Sequence, residues 1–334
     1  MRILVTGATG FIGSRLLARL AVECDQLRIL RRKKSLLEPI KNIKFEDFVG
    51  DITNSDDVMR SVEGCDYVFN MAASVSYWDK IRRHQYDINV NGTKYIVEAC
   101  FKHKVKRLIH TSSIVAIGVP APGEFADEST EYNLAPLDIS YCDTKHLAEV
   151  EVQKGVAQGL DAVIVNPGAV FGPGDVRRFK GHLYGSTVWT RHFYVGGGIA
   201  TVDVDDVIEG HVRAWKKGRN GERYILANEN LTFEEILDVI TSVMDKKGDR
   251  HLFKRCLSPF KIPDLLVFAF AHLATLFSKF TNTKPIATIP MAKFTCVNLF
   301  FSNEKARKEL GMQFKPFRES IERAMEWFEQ HGYL

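Results

Sequence analysis

The sequence predicts an α/β fold, a doubly wound parallel sheet with a smaller C-terminal lobe interleaved with its late strands. Three observations lead there. Short apolar runs, beginning with Arg2 to Thr6, alternate with helix-spaced stretches as far as Pro167. The first run breaks into evenly spaced glycines, Gly7, Gly10 and Gly13, before helical spacing resumes. Beyond Gly174 the alternation gives way to an irregular, glycine-rich stretch and returns near Thr201 to Trp215. Residues 1–170 are therefore expected to form the sheet domain and 171–334 the smaller lobe, with elements near 200–226 rejoining the sheet. The 334 residues, 45% of them hydrophobic, suffice for both.

The opening element reads as strand, tight turn and helix. Gly7 permits the turn, Gly10 lets the backbone approach a pyrophosphate with no Cβ in the way, and Gly13 lets the helix pack on the strand it has just left. The free amides and positive dipole end of that helix make an anion site from Gly7, Thr9, Gly10, Phe11, Ile12 and Gly13 without any basic side chain. Dinucleotide binding is the expectation.

The second strand, Leu27 to Leu30, ends in Arg31, Arg32, Lys33 and Lys34. At this place in a dinucleotide fold a carboxylate would accept the ribose 2′-OH of NAD, whereas cations pair with a 2′-phosphate. A charge-assisted hydrogen bond of about 1.5 to 3 kcal/mol gives roughly a ten- to hundredfold preference. NADP(H) is expected, with NAD(H) as the alternative and Arg32 as the discriminating residue. The third strand, near Lys44 to Val49, closes with Gly50, Asp51 and Ile52, and Ser55 should cap the next helix ahead of Asp56 and Asp57. The fourth strand, Asp66 to Met71, runs into Ala72 and Ala73, small residues suited to close backbone approach. A long helix from about Ile81 to Lys102 carries Asn89 and Gly92, and a helical glycine implies a packing reason. The fifth strand, Arg107 to Thr111, delivers Ser112 and Ser113 at its carboxyl end, the edge where such sheets bind ligands.

Tyr141 and Lys145 head the next helix and, four residues apart, share one face. A phenol that exchanges protons near neutrality needs a lowered pKa. An ammonium about 6 Å away at an effective dielectric near 20 contributes ~2.8 kcal/mol, roughly two pKa units. Ser113 would then hydrogen-bond a substrate oxygen, and Lys145 would also hold the cofactor ribose.

Taken together these segments resemble the extended short-chain dehydrogenase/reductases, the NAD-dependent epimerase/dehydratase family, over nearly the whole length. Thr6 to Gly13 resembles the family's first motif, Thr111-Ser112-Ser113 its catalytic serine segment, and Tyr141 with Lys145 its Tyr-x-x-x-Lys pair. The resemblance implies a Rossmann-type fold, Ser113 as the catalytic serine, and Asn89 as support for the active-site helix and a water. It places Asp51 and Ile52 at the adenine and Ala72 and Ala73 along the ribose and pyrophosphate. The segment Asn166 to Asp175, with Pro167, would pass under the nicotinamide. Asn166 stands where many sugar-nucleotide members have Arg, and Asp203 where many have His. Dehydratase members carry acids just after the catalytic hydroxyl; Ser112 and Ser113 follow Thr111 here, so that chemistry lacks its acid and base. Within the family the chain is most similar to dihydroflavonol 4-reductase-like, 3β-hydroxysteroid dehydrogenase-like and hopanoid-associated sugar epimerase proteins. The resemblance also implies a homodimer through the helices bearing Asn89 and Tyr141.

A net charge of +4 over this length argues against a nucleic-acid partner. The six cysteines form no Cys-x-x-Cys pair and no metal-spaced set, the pattern of reduced thiols. A first strand starting at residue 2 predicts no leader, hence a cytoplasmic enzyme. In the distal part, Arg177, Arg178, His182 and Arg191 are candidates for an anionic substrate, and Asp205 and Asp206 for helix caps. Thr232 with Glu235 reads as a capping box. The apolar stretch Leu265 to Phe277 is too short to span a bilayer; a buried helix over the substrate pocket is expected, with membrane-surface contact through 262–280 as the alternative. The expectation is an NADP(H)-preferring reductase or dehydrogenase acting on a ketone or secondary alcohol of a small, lipophilic molecule. Its rivals are a nucleotide-sugar epimerase with retained cofactor and a non-catalytic redox-sensing module.

Overall fold

A computed structural model of the chain describes residues 1–121, 123–176, 193–246, 260–281, 283 and 285–333. Arg177, Arg178, His182 and Arg191 lie outside the described residues, as do the basic residues Lys247, Lys254 and Arg255.

The main sheet has seven strands, all parallel: β1 Arg2–Thr6, β2 Gln26–Arg31, β3 Glu46–Val49, β4 Tyr67–Asn70, β5 Arg107–Thr111, β6 Ala162–Pro167 and Arg223–Leu226. Their spatial order is β3, β2, β1, β4, β5, β6 and then Arg223–Leu226. This is the Rossmann-type arrangement, and the chain changes direction across the sheet between β1 and β4. The period-2 pattern of β1 sets the two layers. Ile3 and Val5 pack with Leu16, Leu17 and Leu20 of helix α1 (Phe11–Ala21), while Leu4 faces the opposite layer with Val58, Ile96 and Val152. Each fully buried leucine contributes about 1.5 to 3 kcal/mol relative to exposure.

On that second face lie α2 (Ser55–Val62) and the helical run Asp79 to Lys102. The run is not the uniform helix expected from the sequence: a short helix α3 (Arg82–Tyr86) is joined to α4 (Gly92–Lys102) by a π-turn over Asp87–Asn91. Gly92 has its packing reason, since a Cβ there would meet Ile52 Cγ1 at 3.0 Å. Helix α5 (Ser140–Ala157) completes the layer.

A smaller sheet groups β7 (Ala169–Phe171) and β9 (Gly198–Asp203) with Glu229–Thr232 and Asn298–Leu299; β8 (Phe193–Tyr194) pairs separately with Phe260–Lys261. Helix α6 (Val204–Lys217) returns to the main sheet beside α1. The helix Phe317–Gln330 buries Phe317, Ile321, Ala324 and Phe328 against the helix Phe233–Lys246, and Phe317 meets Phe171 edge-on at 4.9 Å. Its apolar face therefore covers the smaller sheet.

Two expected caps are displaced. Asn54, not Ser55, caps α2, accepting from the amides of Asp56 and Asp57. Asp203, not Asp205 or Asp206, caps α6. The reason is position: Asp203 stands in extended backbone just before the helix and accepts from the Asp205 amide, whereas Asp205 and Asp206 lie inside its first turn, where they pair with Arg15 and Arg323 and with Lys315. The Thr232 and Glu235 capping box is present. The apolar stretch lies on the helix Asp264–Thr281, and its expected burial is wrong: Leu265, Leu266, Phe270, Leu273, Leu276 and Phe277 are all exposed. Among the described residues, no helix is long and apolar enough to cross a membrane.

Candidate active site

The loops at the carboxyl ends of β1, β2, β4, β5 and β6 converge on one edge of the sheet. The glycine loop is built as the sequence implied. Gly7 has a φ of +67°, and a Cβ on it would lie 2.8 Å from the Ala72 amide nitrogen. A Cβ on Gly13 would lie 2.2 Å from the Gly7 carbonyl oxygen. Gly10 caps α1, no side chain bonds the helix's first amides, and no acid stands in its first turn. Those donors are left for an anion, so the loop fits a dinucleotide pyrophosphate. Thr9, Gly10, Phe11 and Ile12 are all partly exposed on this edge.

The turn is tied to β4 by a buried polar chain. Thr6 Oγ1 donates to Asn70 Oδ1 at 2.8 Å and accepts from the amides of Met71 and Ala72, each at 3.0 Å. Asn70 Nδ2 reaches Thr93 Oγ1 and His110 Nδ1. Burial, with Lys145 and His211 nearby, keeps the His110 imidazole well below its usual pKa, so the chain is neutral.

At the end of β2, Arg32, Lys33 and Lys34 line a cavity of about 570 Å³ with Val49, Gly50, Asp51 and Asp57. Arg31, the first of the four cations, is taken up by Asp47 on β3 at 2.5 Å. Arg32, Lys33 and Lys34 have no ion-pair partner among the described residues. Asp51 is locally braced: its Oδ1 accepts from the amide and hydroxyl of Thr53, and its amide donates to Asp57 Oδ2. Ile52 is buried beneath Gly92, and Ala73 is exposed beyond the braced Ala72.

At the end of β5 the residues with chemistry come together. Lys145 is buried, and its Nζ donates to the Thr111 carbonyl oxygen at 2.7 Å. Burial lowers its pKa to about 8, against the opposing pull of the Glu149 carboxylate one turn on. Ser113 caps the short turn Ile114–Ala116 through a long 3.4 Å bond to the Val115 amide, so its hydroxyl is only lightly engaged. Tyr141, partly buried, packs with Ile114 and Val115 and meets the Tyr77 ring edge-on at 6.0 Å. Lys145 is thus tied to the last residue of β5, Ser113 stands two residues beyond it, and Tyr141 lies one turn before Lys145 on α5, so the three gather at this strand end.

Asn89 reaches α5 from the π-turn. Its amide donates to the Ser74 carbonyl and to Thr144 Oγ1, and its oxygen accepts from the Ser74 amide. It clamps the loop after β4 to the helix carrying Tyr141 and Lys145, as a positioning residue. Two further contacts were not expected from the sequence. His211 of α6 accepts from Thr111 Oγ1 at 2.9 Å while its Nδ1 donates to the Val207 carbonyl, and burial drops its pKa to about 4. Asn166, at the end of β6 beside Pro167, donates to the Ser113 carbonyl at 3.0 Å and to Glu149 at 2.6 Å, and Arg223 pairs with the other Glu149 oxygen at 3.3 Å. Only Glu149 carried a sequence signal, sharing a helical face with Tyr141 and Lys145 at successive spacings of four.

Residues 3–227 match the profile described as the NAD dependent epimerase/dehydratase family. A protein of Synechocystis sp. named "Putative dihydroflavonol 4-reductase" is 31% identical over 336 residues, covering 99% of this chain and 95% of that one. Sterol demethylase protein B of Methylococcus capsulatus is 28% identical over 344 residues, covering both chains fully at 100%. Among solved structures, gox2253 superposes with a TM-score of 0.83 at 30% identity, covering 100% of this chain and 99% of the other.

Proposed function

The chain belongs to the NAD dependent epimerase/dehydratase family, a nicotinamide-dependent oxidoreductase by descent, and on that premise we propose that it is a reductase or dehydrogenase acting on a ketone or secondary alcohol of a lipophilic molecule. The observation that carries the reading is the buried Lys145, bonded to the carbonyl of the last residue of β5, with Tyr141 one turn before it on α5 and Ser113 two residues past the strand. The names of the two relatives, "Putative dihydroflavonol 4-reductase" and "Sterol demethylase protein B", support the substrate class. Residues 171–334 would supply most of the substrate lobe.

The glycine loop would hold the pyrophosphate and Asp51 with Ile52 the adenine side, and a bound nicotinamide supplies or accepts the hydride. The chain's own part is the proton. In the reducing direction Tyr141 donates it to the substrate oxygen, and Ser113 steadies that oxygen by a hydrogen bond. Lys145, with two ammonium protons still unused by Thr111, reaches the ribose and favours the phenolate. Asn166 and Glu149 hold Ser113 and the Lys145 helix in register. Arg32, Lys33 and Lys34 support NADP(H) over NAD(H). The exposed Tyr86 at the end of α3 and Leu147 on α5 support a homodimer. Buried thiols such as Cys65 and Cys142, pushed up to about 11 and about 12 by burial, suit a reducing compartment such as the cytoplasm.

The test is Tyr141→Phe assayed by nicotinamide oxidation on a panel of flavonoid and steroid ketones. Turnover should fall by about 10² to 10⁴ while cofactor affinity survives. Wild-type turnover in the variant would refute the proton-donor role. Turnover without net nicotinamide consumption, in a protein that purifies with nucleotide bound, would identify an epimerase instead.

A further inference from the structure

Among the described residues, nine of the eighteen exposed large hydrophobic residues lie between Phe260 and Ile286. They follow from the helix Asp264–Thr281, whose apolar face points outward. At 100° per residue, Leu265, Leu276, Phe280, Leu273, Leu266, Phe277 and Phe270 fall in that order across a continuous sector of about 140°. Their exposures include 79% at Leu265, 67% at Leu273, 68% at Phe277 and 86% at Phe280. Ala271 and Ser278, on the other side, are the buried residues. From Leu265 to Ser278 the sequence holds no Asp, Glu, Lys or Arg. Isolated exposed leucines need no explanation, but an uninterrupted sector along five turns of helix marks a binding surface.

We infer that this helix docks in the plane of an anionic lipid bilayer, with its outer face in the headgroup and acyl boundary. Charge selects that occupant. The sequence from 245 to 284 carries eight Lys and Arg against three Asp and Glu, so the chain flanking the apolar run is net cationic. A cationic flank of this kind complements an anionic leaflet and disfavours a second copy of the same segment, which would bring like charges together. The helix is too short in apolar length to cross, so it lies on the surface. Its inner face gives the placement a use. Thr275 and Ser278 line a cavity of about 380 Å³ whose opposite wall is Trp78, next to the Tyr77 that packs on Tyr141. A molecule dissolved in the bilayer would enter between this helix and the Trp78 segment, with no need to cross water.

The docking does not depend on the reductase reading, and it is tested without turnover. The full chain is spun with phosphatidylcholine vesicles, with and without phosphatidylglycerol, alongside Leu273→Glu/Phe277→Glu and Leu273→Ser/Phe277→Ser variants. Both sites are exposed, so the variants should melt with the wild type. Wild-type protein should pellet with the anionic vesicles, less with the neutral ones and less in high salt; each replaced side chain should weaken binding roughly tenfold or more. Wild-type protein that stays in the supernatant, or variants that pellet equally, would overturn the inference. So would a lipid-free dimer that the same substitutions dissociate in light scattering, since a second copy would then own the face.

Discussion

Lys145→Met isolates a conflict between stability and chemistry that the burial of this ammonium creates. A pKa depressed from 10.5 to about 8 means that folding disfavours the charged form by about 3 kcal/mol at neutral pH. The sign follows from proton counting. Between pH 8 and 10.5 the unfolded chain binds more protons than the folded one at this site, so wild-type stability rises with pH across that window and the penalty is complete below it. Methionine fills the same volume without charge. It loses the 2.7 Å bond from a charged donor to the Thr111 carbonyl, about 1.5 to 3 kcal/mol, leaving a net gain of up to about 2 kcal/mol at pH 7. For a chain of 334 residues that is at most about 3 °C in Tm. Turnover and cofactor affinity should both fall, because in the proposed mechanism one ammonium serves Tyr141 and the ribose. The assay is chemical denaturation of both proteins from pH 7 to 10.5. A variant less stable than the wild type by a pH-independent amount would refute the desolvation argument and show that the Thr111 bond dominates.

Arg32→Glu should weaken NADPH binding far more than NADH binding in fluorescence titrations, because it sets a carboxylate in the cavity of about 570 Å³ proposed for the 2′-phosphate; equal losses would reject the cofactor assignment. His211, buried as the neutral imidazole with a pKa near 4, contributes stability that is complete above pH 6.5 and lost as pH falls toward 4, and His211→Gln should flatten that part of the stability profile. If the acid limb is unchanged in the variant, other groups govern it. Multi-angle light scattering at working concentration should give twice the chain mass of 37.8 kDa, and a strictly monomeric value would exclude the homodimer.

What was legible in the sequence was whatever depends on local chain geometry. The glycine spacing encodes a turn whose positive φ at Gly7 and near-contact at Gly13 tolerate no Cβ, so residue identity and backbone shape are nearly the same information there. Tyr141 and Lys145 were legible for a similar reason, since a spacing of four fixes a shared face. The Asn166, Glu149 and Arg223 chain was not, because it joins residues 74 and 17 positions apart and only the sheet order brings β6 beside Arg223–Leu226. The caps at Asn54 and Asp203 were misjudged by one to three residues, where several adjacent polar residues could each bond the first amides and the start of helical backbone decides which does.

The helix Asp264–Thr281 shows where the sequence misleads rather than falls silent. An apolar run of this length inside a folded chain reads as buried, because periodicity reports which residues avoid water and says nothing of what covers them. Burial requires a partner surface. Along this helix Ala271, Thr275 and Ser278 face the protein, flanked by the half-buried Val267 and Phe268, and seven large apolar residues face out. That inversion is the reverse of what a water-facing helix selects, since each exposed Phe or Leu forgoes about 1.5 to 3 kcal/mol of burial. Ala271, Thr275 and Ser278 recur at spacings of four and three, a stripe of small side chains that lets the helix sit close to the cavity beside Trp78. The protein therefore meets this helix through its narrow, partly polar stripe, and the outward sector of large apolar side chains is satisfied only when something other than water lies against it.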